Sequence, residues 1–337
     1  MRRALTRRGG PGFRTLILLL AAVLALGALA GCGGDDDEGA DVQSIAFFGF
    51  ATANSFAQAT WSGIQEAAER EGVEARFFDP NFDAQTQVSQ IQDAIVSGEY
   101  QAFIVQANDG NAVVPAIQEA IEEGITVVAE FTPVGTRYDT VEPQVDGMIF
   151  VGEPPVENGE ALADMAIEAC GDRDPCRVVY LEGFRALPLD NARTQAFVDR
   201  LATADSAELV ARLEGGYTRE SGLAAAQDVL QANPEIDVMV GSSQATQGAE
   251  QAIQDAGREG IQLIGNGGSE QAVDAVRDGR WFGCYIIPER DAGAKAAELA
   301  IAHARGEDVE FSFDTRELQD PIGTSDNLGD FQGQYRD

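Results

Sequence analysis

The sequence predicts an α/β fold built twice over, each half a parallel sheet covered by helices on both faces. Three observations carry this. About 300 residues remain once the first 31 are set aside, too many for one ordinary core and suited to two of similar size. From Ser44 onward strand-like and helix-like segments alternate, which implies parallel strands with helices on either side. An offset of 136 residues superposes Ile104–Phe131 on Val240–Gly267 without a gap, as equivalent strand–helix–strand units of two lobes would.

The elements follow in order. Ser44–Phe50 reads as a buried strand, and a helix is expected over Phe56–Glu71 with Ile64, Ala67 and Ala68 on one face. Val73–Phe78 is the next strand. Asp83–Ser97 is a helix, its stripe made by Val88, Ile91 and Ile95. Ala102–Gln106, a helix over Asn111–Glu123 and a strand at Thr126–Phe131 continue the pattern. Near Met148–Val151 the rhythm restarts. Strands are expected at Arg177–Leu181, Leu209–Glu214, Val238–Gly241, Ile261–Gly265 and Trp281–Ile287. Helices are expected at Asn158–Cys170, Asn191–Ala202, Ser221–Gln231, Gln247–Ala256, Glu270–Asp278 and Asp291–Ala304. Gly72, Gly124 and Gly260 each stand between a helix and the next strand, where the left-handed cap favours glycine.

The first 31 residues read as a secretory signal. Five arginines precede Leu16–Ala30, an apolar run too short to span a bilayer comfortably. It ends Leu29-Ala30-Gly31-Cys32, which resembles the bacterial lipobox, so Cys32 is expected to be acylated and to hold the chain on the membrane. Residues 32–43, rich in Gly and Asp, read as an extended acidic tether. Without the leader arginines the chain carries 18 basic and 56 acidic residues, a surface that repels nucleic acid and anionic lipid. Cys170 and Cys176 flank Gly-Asp-Arg-Asp-Pro turn chemistry in an exported chain, so a disulfide is expected there. Cys284, inside an apolar run, is expected to be a buried free thiol.

Ligands of open parallel sheets bind beyond the carboxyl ends of the strands. In the first half those residues are Phe50 to Asn54, Gln106 to Asp109, and Glu130 with Phe131. In the second they are Glu182 to Arg185, Ser242 to Gln244, and Asn266 with Gly267. Amides, hydroxyls, a carboxylate and aromatic faces suit a small polar or polyhydroxylated ligand. An enzyme is disfavoured. The lone histidine, His303, reads as a surface residue, and no Ser/His/Asp set or Cys/His metal spacing occurs. Gly265-Asn266-Gly267-Gly268 lacks the early strand–turn–helix context of a dinucleotide site, so no cofactor and no metal are expected.

Several segments taken together resemble the ribose-binding-like, type I periplasmic binding proteins. They are Asn54-Ser55-Phe56 running to Gly63-Ile64-Gln65-Glu66-Ala67, Gln90–Ile95, Ile125–Val128, Asn191-Ala192-Arg193 with Phe197, and Ala272-Val273 with Asp278-Gly279-Arg280. The resemblance spans Ser44 to Asp308 and implies two doubly wound lobes joined by three hinge crossovers. It places the first lobe at 44–147 plus 288–310 and the second at 148–287 plus 311–337. The binding set it implies, joined with the strand-end residues, is Asn54, Phe56, Gln106, Glu130, Phe131, Arg193, Tyr217, Ser242 and Asn266, with Glu130 and Arg193 meeting one ligand from opposite lobes. Phe131, Asn266-Gly267 and Ile287 replace hydrogen-bonding positions of ribose binders, so ribose itself is not the expected ligand. The implied role is the extracytoplasmic, lipid-anchored, monomeric subunit of an ABC importer, taking a sugar-like ligand and docking on permease and ATPase subunits. The alternative is a receptor for a nucleoside or small signalling molecule, without transport.

Overall fold

The computed structural model describes residues 41–337. The signal segment, Cys32 and most of the tether lie outside the described residues. Val42 is already buried, in the core of the first lobe, so the packed chain starts before the expected tether end at residue 43.

The first lobe opens with β1 (Ser44–Phe48), α1 (Ser55–Glu71), β2 (Glu74–Phe78), α2 (Ala84–Ser97), β3 (Ala102–Val105), α3 (Val114–Glu122), β4 (Thr126–Glu130) and β5 (Ile149–Gly152). The second contains α4 (Pro155–Cys170), β6 (Cys176–Glu182), α5 (Pro188–Leu201), β7 (Ala207–Glu214), α6 (Arg219–Ala232), β8 (Val238–Ser242), α7 (Ser243–Asp255), β9 (Gln262–Gly267), α8 (Glu270–Arg277) and β10 (Gly283–Ile286). The chain then returns to the first lobe for α9 (Glu289–Ala304) and β11 (Ser312–Asp314), and to the second for β12 (Ile322–Thr324).

Each sheet has six strands, in the orders β11-β5-β4-β3-β1-β2 and β12-β10-β9-β8-β6-β7. The orders are the same order once equivalent strands are matched. The 136-residue offset lays β3 on β8 and β4 on β9. All pairings are parallel except β10 with the short edge strand β12.

The central strands β1, β3, β4 and β8 are buried nearly end to end, as expected of a sheet covered on both faces. Helix ends obey local chemistry. Asn54 and Asp83 accept the N–H groups of Ala57 and Thr86 as N-caps, and Gly72 and Gly98 close α1 and α2 in the left-handed region.

Two boundaries differ from the sequence reading. β5 was expected to begin the second lobe, yet it pairs with β4, and β11 pairs with β5. Both strands therefore belong to the first lobe, and its limits fall after Gly152 and after Asp314. The apolar run Ile149–Val151 carries no mark of which sheet it joins, because a strand buried on both faces reads the same in either. The chain crosses between lobes three times, at residues 153–154, 287–288 and 315–321. Cys170 and Cys176 are joined, and Cys284 is buried and free. Among the described residues no helix is long and apolar enough to cross a membrane.

Candidate ligand-binding site

Strand ends of both sheets and the loops beyond them face one another across a cleft enclosing about 560 Å³ of open space, counted to its mouth. Six of the nine expected residues line it: Asn54, Phe56, Phe131, Arg193, Tyr217 and Asn266. The first-lobe wall is aromatic. Phe131 packs edge-on against Phe56 and Phe50, with ring centroids 4.9 and 6.1 Å away, and Phe82 lies 6.1 Å from Phe50. Phe82 and Phe131 have φ of 60° and 61°, a conformation that costs a bulky L-residue about 1–2 kcal/mol. Two such residues on one wall mark a place where ring position outweighs backbone ease.

The second-lobe wall is a closed polar network. Pro188 starts α5 at a position where its missing N–H costs nothing. The first two turns then carry Asp190 and Arg193 to the cleft. Arg193 Nη1 donates to Asp190 Oδ1 at 3.2 Å and to the Tyr217 hydroxyl at 3.3 Å. Asp190 also accepts from the Phe184 amide at 2.8 Å and from the Tyr217 hydroxyl. Burial raises the Asp190 carboxyl above its ordinary range, opposed by the Arg193 charge and these hydrogen bonds. Burial also works against the Arg193 charge, but the surrounding oxygens of Tyr217 and Asp190 more than offset it, so the guanidinium stays charged.

Three expected residues do not line the cleft. Ser242 caps α7, accepting from the Ala245 N–H and donating to the Gly216 carbonyl. Gln106 is buried behind the wall, its Nε2 2.7 Å from Thr60 Oγ1. Glu130 is wholly buried beside Glu289, the first residue of α9, which accepts from Thr60 Oγ1 at 2.7 Å. Burial pushes the Glu130 carboxyl up to about 8. It pushes Glu289 well up too, helped by the Glu130 charge, so the pair holds a proton at neutral pH. The expected meeting of Glu130 and Arg193 is therefore replaced by two separate arrangements. Arg193 pairs within its own lobe and reaches the first through the Phe131 ring, 5.9 Å from its guanidinium carbon.

Several lining residues were not singled out from sequence: Phe82, Asn108, Thr132, Leu187, Asp190 and Tyr335 among them. Asn108 lies in a strand-end segment already recognised, the same rule applied past β2 reaches Phe82, and Leu187 lies two residues beyond the Glu182–Arg185 segment read after β6. Tyr335 gave no signal, because it arrives from the tail, whose carbonyl accepts the Glu270 N–H at the start of α8. Four of the lining side chains are more than nine-tenths buried and keep polar atoms without a protein partner: both amide atoms of Asn108, Thr132 Oγ1, Arg193 Nε and the Tyr335 hydroxyl. The lobes also touch directly. Phe82 meets Phe184 with centroids 5.3 Å apart, Phe56 meets Tyr335 at 5.9 Å, and Gln244 Nε2 donates to Ser55 Oγ at 3.0 Å.

The sequence profile described as periplasmic binding protein domain matches residues 45–308. The chain belongs to that family. Among its relatives, this periplasmic binding protein is 23% identical over 261 residues to the ribose import binding protein of Salmonella typhimurium, covering 77% of this chain and 84% of that one. It is 25% identical over 299 residues to the xylitol-binding protein of Mycolicibacterium smegmatis, covering 86% and 82%. In three dimensions it resembles an ABC transporter solute-binding protein of Bacillus halodurans C-125 solved with myo-inositol, at TM-score 0.76 and 20% identity, covering 89% of this chain and all of that one. The two-lobed architecture is thus that of the family.

Proposed function

We propose that this chain is the extracytoplasmic solute-binding subunit of an ABC importer, capturing a neutral sugar-like or polyol ligand between its lobes without changing it. The observation that carries this is the set of unpartnered buried polar atoms on Asn108, Thr132, Arg193 and Tyr335, contributed by both lobes and set among aromatic faces. Unpaired buried polar atoms cost about 1–3 kcal/mol each, so a ligand that meets them stabilises the closed arrangement. The Arg193 charge is balanced by Asp190, which favours a neutral ligand. The relatives named above are binding proteins for a pentose and a polyol, consistent with capture rather than catalysis. The working form is a monomer, tethered through Cys32 and served by permease and ATPase subunits.

A thermal-shift screen of sugars, polyols and nucleosides tests the binding. A ligand at 100 times its Kd adds about 2.7 kcal/mol of stability, a shift of several degrees. No shift from any sugar or polyol rejects the ligand class. Cys32→Ser tests the tether: incorporation of labelled fatty acid should be lost, and its persistence would place the anchor elsewhere.

A further inference from the structure

The cleft is unusual in what its polar atoms have left to offer. Asp190 is the only carboxylate among the lining residues, and Arg193, Tyr217 and the Phe184 amide already occupy it. Asn266 exchanges both amide atoms with Asn158 at 3.1 and 3.2 Å. Asn54 Oδ1 is engaged in capping α1. The lone Arg193 Nε–H can only donate. A ligand hydroxyl that must give away its proton therefore finds four free side-chain acceptors: Asn108 Oδ1, Thr132 Oγ1, the Tyr335 hydroxyl and Gln244 Oε1, whose amide nitrogen alone is engaged. Much of the remaining wall is carbon, from Phe50, Phe82, Phe131, Leu187, Leu189 and Ile287.

A fully hydroxylated hexose carries more protons to place than this, and a pentose as many as there are acceptor atoms. Each hydroxyl turned to the carbon wall would lose water and gain no partner, whereas a methyl or methylene there would gain from burial. We propose that the cleft selects a deoxy sugar over its fully hydroxylated parent, with Arg193 Nε donating to an oxygen that has no proton to give, such as the ring oxygen. This rests on the sugar-like reading above and narrows it. Phe131 is the central selecting residue. It packs against both Phe50 and Phe56, lies under the Arg193 guanidinium, and holds its place at positive φ.

Calorimetric titration of the purified chain with matched pairs tests this: D-galactose and D-fucose, D-glucose and 6-deoxy-D-glucose, D-ribose and 5-deoxy-D-ribose. In at least one pair the deoxy member should bind tenfold or more tightly than its parent, about 1.4 kcal/mol. If every parent that binds does so at least as tightly as its deoxy partner, the selectivity is wrong and the sugar reading survives. If no sugar of any pair binds, this inference falls, and a polyol hit in the screen above tells that result apart from failure of the wider reading. Phe131→Asn supplies a second measurement, because Asn tolerates positive φ and puts an amide where the ring stood. The preference for the deoxy member should shrink at least fivefold in the variant, measured where it still unfolds cooperatively above the titration temperature. An unchanged ratio in the folded variant would remove Phe131 as the selecting element.

Discussion

Glu130 in the first lobe and Asn266 in the second occupy the same place in the same architecture, 136 residues apart at the ends of β4 and β9. Asn266 lines the cleft and is tied to Asn158, while Glu130 is sealed behind the wall with Glu289. The wider walls differ in the same manner. Phenylalanines held partly at positive φ make the first, and a hydrogen-bonded Asp–Arg–Tyr network makes much of the second. Topology thus fixes where strand ends lie. What packs beneath each end decides whether its side chain faces the ligand or the core.

The comparison breaks most visibly at Arg193. Arg193→Ala leaves Asp190 buried without its cation, which costs about 3–5 kcal/mol of stability, and removes one free donor from the cleft. Ligand affinity should fall at least thirtyfold. Arg193→Lys keeps the charge but not the Nε donor, so it should recover melting temperature more than affinity. Equal recovery of both would leave the site without a role for that donor.

The sealed pair in the first lobe gives the next largest effect, through pH. The folded Glu130 carboxyl titrates near 8, above an unfolded value of about 4.3. The folded state therefore binds the extra proton between these values. Its contribution is complete below about pH 4 and is lost as pH rises through about 8, at up to about 1.4 kcal/mol per pH unit. Glu289 and Gln106 face Glu130, and Glu153 adds its charge to Glu289. Chemical denaturation from pH 5 to 9 should show this slope, with Glu289 adding its own, and Glu130→Gln should make it shallower. A variant with the wild-type slope would place the titration elsewhere.

The smaller tests sharpen the contrast at the edges. Reducing or replacing Cys170–Cys176, present in the second lobe alone, opens a short loop and should cost about 2 kcal/mol with ligand affinity within twofold of the parent. An affinity loss beyond that would connect the loop to the cleft. Phe82→Ala deletes a ring that meets Phe184 across the cleft, at about 1 kcal/mol. Its mark should be a faster ligand off-rate in stopped flow, with little change in on-rate.

Much of this fold was legible because a parallel sheet writes itself plainly. Buried strands are continuous apolar runs, and Gly72 closes α1 as the left-handed cap expected of it. Less legible were the lobe limits, since β5 and β11 join their sheet through backbone pairing that side chains do not announce. The cleft was readable as far as strand ends predict it, at Asn54, Phe131 and Asn266. It failed where a strand-end side chain turned out to serve the core, as with Glu130 and Gln106, or a helix cap, as with Ser242. Tyr335 comes from so far along the chain that only the folded molecule brings it to the site.

The helix contacts inside the lobes carry one more consequence. In the first lobe α1 and α9 touch backbone to backbone, for a β-carbon at Gly63 would lie 1.8 Å from the Arg290 carbonyl oxygen and one at Gly293 2.2 Å from that of Thr60. In the second, Gly222 and Gly248 bring α6 and α7 equally close, with backbone atoms 2.3 and 2.2 Å from their would-be β-carbons. Helices locked in this way leave little room for slip within a lobe, so each behaves as a stiff body and relative movement falls on the three short crossings. A dye pair with one fluorophore on the outer end of α2 and the other on that of α6 would then convert ligand concentration into an optical signal, and the molecule becomes a ready frame for a sensor.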